Sequence, residues 1–373
     1  MTDIINEHIN SESAPDNRHN NFDFSVSYDA ALPELLSYLN ISLILTSYQA
    51  DRLITVRSHH NELDTHFIAC PRPMGLTVDQ QRLTLGIWAQ VLDFRRDDSI
   101  CDKVDDSGKV DACYLPRASH VSGMINIHDI AWGDEGLWAV NSTFSCLCTL
   151  DSNYSFVPRW QPSWITELQP EDRCHLNGMA MRDNKPRYVT TFNQENSAKA
   201  WRKNREGRGT LIDIETDVVL ADGLMMPHSP RYYRDRLYVC ESGYGLIWTV
   251  DPQTGEKTLF AKLQGFTRGM AFYDNLMFVG LSRVRASEAS LSPPLAQEFA
   301  ETYSGIWVLD INTAEVVTYL CFEGDIKQVY DIGIIPDAVF PQVLEWQDEK
   351  IEHFFHFPDQ PASDKHSVTR ESA

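Results

Sequence analysis

The sequence lacks two features that would direct it to a membrane or to a nucleic acid. No apolar run approaches the roughly 18 residues that a membrane-spanning helix needs. Basic residues are scarce, because 32 lysines and arginines stand against 53 aspartates and glutamates, which gives a formal net charge of −21. Phosphate backbones and anionic membranes select basic surfaces. We therefore expect neither a nucleic acid nor a membrane as a partner.

The sequence also shows neither the pattern expected of a secretory leader nor a paired cysteine motif. Its first residues, MTDIINEHIN, are polar and acidic, whereas a leader is basic and then apolar. Of the eight cysteines only Cys146 and Cys148 lie close in sequence, and a single C-x-C is weak evidence for zinc. We therefore expect reduced thiols and a cytoplasmic location. Hydrophobic residues make up 43% of the chain, enough for a sizeable core.

The most informative feature that is present is an internal repeat. Five short segments of strand-forming residues are each followed by a polar turn and a second strand-like run. They begin at residues 74, 128, 177, 228 and 268 and read MGLTV, HDIAW, NGMAM, HSPRY and RGMAF. Their spacings are 54, 49, 51 and 40 residues, and several strands at such a period are typical of propeller blades.

Two incomplete units at the ends of the repeat region complete one further blade. YDIGII (330–335) is an opening strand with no partner after it, and ISLILTSYQADRLITV (41–56) has no opening strand before it. Joining them predicts an all-β, six-bladed β-propeller in which the N-terminal strands close the last blade. Such closure removes exposed sheet edges. The alternatives are a pair of β-sandwiches or an irregular β protein.

The same pattern predicts the domain organisation. Residues 1–28 are expected to form a disordered polar tail, 29–345 a single propeller domain, and 346–373 a flexible C-terminal tail. One helix is expected over PELLSYL (33–39), with its proline in the first turn.

Polar residues recur where the blades open and where their second and third strands turn. In a propeller these positions converge on one mouth of the central channel, so they predict a binding site there. The candidate catalytic residues are His128, His175 and His228, which suit acid–base work or metal binding. The candidate ligand-binding residues are Gln49, Trp88, Ser145, Arg173, Asn177, Ser229, Arg231, Arg268 and Arg283.

Four strings carry a resemblance to a known family. FSCL (144–147), DRCHLNGMA (172–180), MPHSPR (226–231) and GFTRGMAF (265–272) resemble a bacterial family of conserved hypothetical proteins, for which no activity is established. The resemblance covers most of residues 35–340. It implies kinship and assigns no chemistry.

A looser resemblance is to the six-bladed gluconolactonase and strictosidine-synthase group of propellers. LNGMA (176–180) is similar to their P-N-G-L-A element, whose asparagine binds a divalent metal in the lactonases. The resemblance implies that Asn177 faces a metal, and with the histidines at two other openings, His128 and His228, it forms the candidate set for one divalent metal ion. This chain departs from the group because the other openings have histidine and arginine in place of acidic ligands, and histidine suits transition metals rather than calcium.

Three hypotheses follow for the channel mouth. In the first, Arg173, Arg231, Arg268 and Arg283 hold a small carboxylate or phosphate, with metal-assisted hydrolysis of an ester or lactone as the nearest reaction. In the second, the propeller is a non-catalytic module that binds a peptide, a sugar or a protein through exposed aromatic side chains, namely Tyr48, Trp88, Phe144 and Tyr244. In the third, the polar residues stabilise a water-filled channel.

Overall fold

A computed structural model describes residues 22–202, 207–284, 293–345 and 347–355 of the 373-residue chain. Its strands form six sheets around a central channel, and the predicted all-β, six-bladed propeller is confirmed. Each blade has four antiparallel strands, the innermost of which lies at the channel, and blade 2 carries one further strand in parallel at its outer side. None of the helices in the described residues has the length and apolar character needed to cross a bilayer.

The N-terminal part of the described chain supplies an added strand of blade 6, one helix and the outer strands of blade 1. The elements are β1 (Val26–Tyr28), α1 (Ala31–Leu39), β2 (Ile41–Ser47), β3 (Arg52–His59) and β4 (Glu62–Ala69). The next two blades run from channel to surface. Blade 2 contains β5 (Leu76–Val78), β6 (Arg82–Ile87), β7 (Gln90–Arg96), α2 (Cys101–Val104) and β8 (Ala112–Val121). Blade 3 contains β9 (Ile127–Gly133), β10 (Gly136–Asn141), β11 (Cys146–Asp151) and β12 (Tyr154–Trp160).

The remaining blades follow the same plan. Blade 4 contains β13 (Gly178–Arg182), β14 (Lys185–Thr191), β15 (Gly209–Asp213) and β16 (Val218–Leu224). Blade 5 contains β17 (Pro227–Tyr233), β18 (Arg236–Glu241), β19 (Leu246–Val250) and β20 (Lys257–Lys262). Blade 6 contains β21 (Phe266–Tyr273), β22 (Leu276–Ser282), α3 (Leu295–Glu298), β23 (Gly305–Asp310) and β24 (Val316–Phe322). The chain then forms β25 (Asp331–Pro336), β26 (Pro341–Val343) and a 3-10 turn (Glu349–His353).

Blade 1 closes the ring as the two incomplete repeat units predicted. β25 pairs antiparallel with β2, with Ile41 opposite Pro336 and Thr46 opposite Asp331. β2 is buried along its whole length because blades pack against it on both faces. The predicted helix is also confirmed as α1, which ends at Asn40 in the left-handed region and buries Leu32 and Leu36. Both ends of the chain therefore stabilise the same blade.

The structure corrects the predicted tails where it describes them. Residues 26–28, assigned to the N-terminal tail, form β1 and extend blade 6, with Val26 opposite Phe322. The apolar side chains of Phe22 and Phe24 pack against the core. At the other end, the 3-10 turn at Glu349–His353 falls within the predicted C-terminal tail, and Ile351 packs on blade 2. The rest of the two predicted tails, 1–21, 346 and 356–373, lies outside the described residues.

Glycine follows the opening residue in three blades, at Gly75, Gly178 and Gly269, because the inner strands crowd together at the axis. Gly269 has a φ of +73°, and a Cβ there would lie 2.8 Å from Cα of Asp331 in the next blade. A Cβ on Gly178 would lie 2.5 Å from Cδ of Pro230. These glycines let neighbouring inner strands approach, which brings their opening side chains to a common space.

Candidate functional site

A narrow cavity, here called the upper chamber, lies in the channel where the inner strands begin. Its lining comes from five blades and comprises His128, Asp129, Asn177, His228, Ser229, Arg231, Arg268, Tyr330 and Asp331. As the side chains stand, no part of this space is wide enough for a water molecule. Six of the sequence-predicted site residues therefore lie in this lining, and one of them, Arg231, lies at its floor.

The floor of the chamber is an ion-paired cluster. Arg231 donates from Nη1 to Oδ2 of Asp129 over 2.8 Å, and its Nη2 lies 3.4 Å from Oδ1 of Asp331. It also donates to the carbonyl oxygens of Met179 and Met270, each at 3.1 Å. One side chain thus links the inner strands of blades 1, 3, 4 and 6 to blade 5. The prediction that Arg231 holds a ligand is corrected, because its donors are already engaged.

Two carboxylates face one guanidinium in this floor, and Asp129 lies closer to it than Asp331 does. Although burial opposes the charged form, the two carboxylates raise the pKa of Arg231. Burial raises the pKa of Asp331 to about 7, and Asp129 adds to this while Arg231 opposes it. Asp129 is the carboxylate closer to Arg231, and burial favours the protonated form of Asp331.

A closed ring of planar side chains surrounds the chamber. We call it the collar and define it as His128, His175, Phe192, His228, Phe266, Arg268 and Tyr330. Neighbouring ring centroids lie between 4.5 Å and 5.8 Å apart. The Arg268 guanidinium carbon completes the ring, at 5.0 Å from the Phe266 centroid and 4.8 Å from the Tyr330 centroid. Such contacts fix the orientation of each member.

His128 and His228 are held by the same device in two different blades. Nδ1 of His128 lies 2.8 Å from the carbonyl oxygen of Asn126 and 2.6 Å from Oγ of Ser142. Because Ser142 donates its own hydrogen to the carbonyl oxygen of Leu176, Nδ1 must be the donor. Nδ1 of His228 likewise lies 3.0 Å from the Met226 carbonyl oxygen and 2.9 Å from Ser242 Oγ.

Both imidazoles are neutral near pH 7. Burial lowers the pKa of His128 well below its ordinary value of 6.5, and His175 adds to the effect. Burial also lowers the pKa of His228 well below that value, and the charge of Arg268 is the next largest cause. With the hydrogen on Nδ1, each Nε2 is left with a lone pair. Each ring is therefore an acceptor for a hydroxyl or amide hydrogen.

His175, a member of the collar, is oriented by a carboxylate outside it. Its Nδ1 lies 3.0 Å from Oδ1 of Asp172, and Trp201 donates from Nε1 to the other carboxylate oxygen over 3.0 Å. The Trp201 ring stacks on the imidazole with centroids 4.1 Å apart. His175 has a φ of +50°, which turns its side chain out of the usual strand direction. The pair has the form of a carboxylate-oriented general base.

Three buried donors in the chamber lack acceptors among the described residues. They are Nε of Arg268, Nδ2 of Asn177 and the hydroxyl of Tyr330. The Asn177 amide is oriented by its Oδ1, which accepts from Thr190 Oγ1 over 2.7 Å. In the described part of the chain no carboxylate lies within 4.0 Å of the Arg268 guanidinium. A buried donor without a partner costs about 1–3 kcal/mol, so three at one place indicate a missing acceptor.

The other predicted ligand-binding residues lie elsewhere or are already engaged. Arg173 pairs with Glu171 over 2.8 Å and bonds Asn196, whereas Arg283 donates to the Phe322 carbonyl oxygen and lies 3.7 Å from Glu323. Ser229 lines the chamber, but its hydroxyl accepts from the Gly269 amide. The three turn residues also lie outside the chamber, with Gln49 accepting from the Lys327 amide, Ser145 accepting from the Cys174 amide, and Trp88 54% exposed.

The donor set does not fit the predicted divalent metal well. Among the described residues no three histidine, cysteine, aspartate or glutamate side chains are grouped to hold a metal ion. Of the three proposed ligands, Asn177 has its oxygen bonded to Thr190, and the rings of His175 and Phe192 stand between those of His128 and His228. The positive charge of Arg268 on the same cavity opposes a cation.

Sequence reasoning missed Tyr330, the floor carboxylates and the serines behind the histidines. Signals for all of them were present. Ser142 follows His128 by 14 residues and Ser242 follows His228 by the same number. HD at 128–129 and YD at 330–331 place Asp129 and Asp331 at the same position of two blades, one residue into the opening segment.

Comparison with known proteins identifies the family. The model of a domain of unknown function, DUF4915, matches residues 30–344, and the chain belongs to that family. No curated protein matches the chain in sequence. A solved chain from the "Crystal structure of Nidogen/Laminin Complex" is similar in fold, with a TM-score of 0.51 and 10% identity over 80% of this chain and 99% of that one. At that identity the likeness supports the propeller fold alone.

Proposed function

We propose that this propeller of the DUF4915 family binds a small anion, a carboxylate or a phosphate, in the upper chamber. The observation that carries the proposal is the convergence of three unpartnered donors, from Arg268, Asn177 and Tyr330, on one cavity of the described chain. The guanidinium and amide nitrogens can only donate and the hydroxyl can also donate, so a group that presents acceptor atoms would satisfy all three. The Arg268 guanidinium supplies the positive charge that favours an anion over a neutral acceptor.

The neutral histidines indicate a second chemical feature of the ligand. Nε2 of His128 and of His228 is an acceptor, so these rings complement a hydroxyl group rather than a second anionic group. A ligand with an acidic group and a neighbouring hydroxyl would use both kinds of partner. Because the chamber is narrow and enclosed by side chains from five blades, we expect a small molecule. Its entry requires collar side chains to move apart, because the gaps are too narrow for water.

Binding is tested by thermal unfolding in the presence of acetate, glycolate or inorganic phosphate at constant ionic strength. We expect a saturable rise in Tm for at least one of these anions, because a ligand that binds only the folded state stabilises it. Arg268→Gln should abolish the saturable rise. Arg283→Gln is the matched control and should retain it, because Arg283 lies outside the chamber and bonds a carbonyl oxygen. An equal, non-saturating response in all three proteins would contradict the proposal.

Hydrolysis of an ester or lactone is a second candidate function, favoured by the His175–Asp172 pair. Asp172 holds the Nδ1 hydrogen of His175, which leaves Nε2 to take a proton from an attacking water. Arg268 would hold the acid group of the substrate. The similarity of LNGMA to the lactonase element supports the same reaction class. His175→Gln should then abolish turnover of a small lactone while leaving the anion-dependent rise in Tm intact.

The alternative is a non-catalytic module that binds a peptide, a sugar or a protein. Trp88 and Tyr244 are 54% and 38% exposed on turns at the same mouth, which is what such a surface needs. A partner bound there would depend on these rings and not on the chamber. Loss of binding in Trp88→Ala with no effect of Arg268→Gln would favour this module over the proposed anion site.

A further inference from the structure

Two cysteines meet on the outer side of blade 2, at β8, which is the fourth strand counted from the channel. The connection from β7 to β8 forms a 3-10 turn at Asp98–Ile100 and then α2, which begins at Cys101. β8 follows, and Cys113 is its second residue. The two sulfur atoms lie 3.5 Å apart as free thiols, with Cys101 donating to Cys113. The eight cysteines all lie in the described residues, and no other pair has its sulfurs in hydrogen-bond contact.

We propose that Cys101 and Cys113 form a dithiol–disulfide modification site. A disulfide has a sulfur–sulfur distance of about 2.05 Å, so the sulfurs must approach by roughly 1.5 Å. The movement falls on α2, a single turn of four residues in a surface connection, rather than on the paired strand β8. Short connections of this kind adjust more easily than strands within a sheet.

The oxidant is a small disulfide such as oxidised glutathione. The thiolate of Cys101 attacks one sulfur of the oxidant, forms a mixed disulfide and releases one thiolate. The thiolate of Cys113 then attacks the sulfur of Cys101 and releases the second thiolate. The two protons lost by the protein thiols pass to the two released thiolates. The protein is oxidised by two electrons, and one small disulfide is reduced to two thiols.

The bond would tie the acidic connection to the strand that holds the C-terminal part of the fold. β8 pairs in parallel with β26, and Cys113 lies opposite Gln342. Just before β8, the carboxylate of Asp111 accepts from the amides of Val339 and Phe340. Cys101 and Cys113 pack in the same small core as Ile351 and Phe354. Oxidation therefore restrains the connection where the C-terminal segment docks.

The exchange should be slow near neutral pH and faster in alkaline solution. Burial raises the pKa of the Cys101 thiol, although the contact with Cys113 opposes the shift. Burial also raises the pKa of the Cys113 thiol, and the contact with Cys101 adds to that shift. Thiol–disulfide exchange needs the thiolate, so a higher pH increases the reactive fraction of both. The site therefore responds to sustained oxidation rather than to brief exposure.

The full-length protein tests the proposal directly. It is incubated with oxidised glutathione at pH 7 and at pH 9, unfolded, and alkylated to count free thiols. We expect the count to fall from eight to six, faster at pH 9, with peptide mapping linking Cys101 to Cys113. Protease cleavage between residues 97 and 111 should slow after oxidation and recover on reduction.

Two variants separate the pair from the other cysteines. Cys101→Ser should keep all seven of its remaining thiols free of internal disulfide. Cys70→Ser, a buried cysteine of the neighbouring core, should still lose two thiols like the wild type. Peptide mapping of the wild-type protein needs no variant, so it decides the matter even where a variant folds poorly. Eight free thiols after prolonged exposure at pH 9, or a disulfide that excludes either Cys101 or Cys113, overturns the proposal.

Discussion

Arg231 and Arg268 line the same small cavity in adjacent blades, and their surroundings are opposite. Arg231 faces two buried carboxylates and two carbonyl oxygens. Arg268 lies among the rings of Tyr48, Phe266 and Tyr330, and no carboxylate pairs with it within the described residues. The charge of Arg231 is balanced by carboxylates inside the fold, whereas no carboxylate in the described part of the chain balances the charge of Arg268. An arginine at a channel mouth is therefore evidence for a ligand only when its partners are known.

Along the channel axis, the residues that stabilise the fold are therefore distinct from those that we propose to bind a ligand. The floor joins five blades through one side chain, so it acts as a structural cross-link of the propeller. The upper part of the chamber contains unpartnered donors, which are a cost to the folded state. Folded proteins accept such costs at binding sites. Variants on either side of this boundary should consequently fail in different ways.

The largest effect is expected from Arg231→Met. It leaves Asp129 and Asp331 buried without their cation, and breaking a buried pair on one side costs about 3–5 kcal/mol of unfolding free energy. Urea unfolding followed by tryptophan fluorescence measures the loss. Arg268→Met is the matched control, and we expect it to change the unfolding free energy by about 1 kcal/mol or less, since only contacts with aromatic rings are lost. Equal losses in the two variants would remove the distinction between floor and chamber.

The next effect concerns pH and the floor alone. The pKa of Asp331 is raised from 3.8 to about 7, so between these values the folded protein holds a proton that the unfolded chain releases. The contribution of this group to the unfolding free energy is therefore present below about pH 4 and lost as the pH rises to 7. Asp331→Asn removes the titration. Relative to wild type, the variant should gain stability from pH 4 to pH 7.5, by at most roughly 4 kcal/mol.

This profile is measured by urea unfolding of both proteins at four pH values across that range. His128 and His228 titrate in the opposite sense, because their lowered pKa values make stability fall as the pH drops below 6.5. They are present in both proteins, so they cancel in the difference. An offset between the two proteins that is constant with pH would show that Asp331 is already ionised in the fold.

The fold was largely predictable because each repeat unit can be recognised from a short stretch of its own sequence. Five opening segments at similar spacing defined the units, and YDIGII supplied the missing inner strand of blade 1. The position of the chamber followed from the same register, since opening residues must converge when six sheets close into a ring. Short-range pattern is sufficient for this because blade strands pair with their neighbours in sequence.

The roles of the arginines were not predictable in the same way. The carboxylates that engage Arg231 are 102 and 100 residues away in sequence, and only the closed ring brings them together. Arg173 is engaged by Glu171 and Arg283 by the Phe322 carbonyl oxygen at the end of β24, and no repeat pattern specifies either contact. The opening position fixes where a residue is placed, whereas its partners depend on side chains from other blades.

The smallest effect should come from the serines that link neighbouring blades. Ser242 donates to the Thr267 carbonyl oxygen over 2.5 Å and lies beside Nδ1 of His228, whereas Ser282 donates only to the Val329 carbonyl oxygen over 2.9 Å. Either change to alanine should cost about 1–2 kcal/mol of unfolding free energy, since one buried hydrogen bond is lost. Only Ser242→Ala should also alter the ¹⁵N chemical shifts of His228, because it removes one of the two groups that hold Nδ1. If Ser282→Ala shifts them equally, the serine behind His228 is only a link between blades, and the orientation of the ring must come from the Met226 carbonyl and the collar.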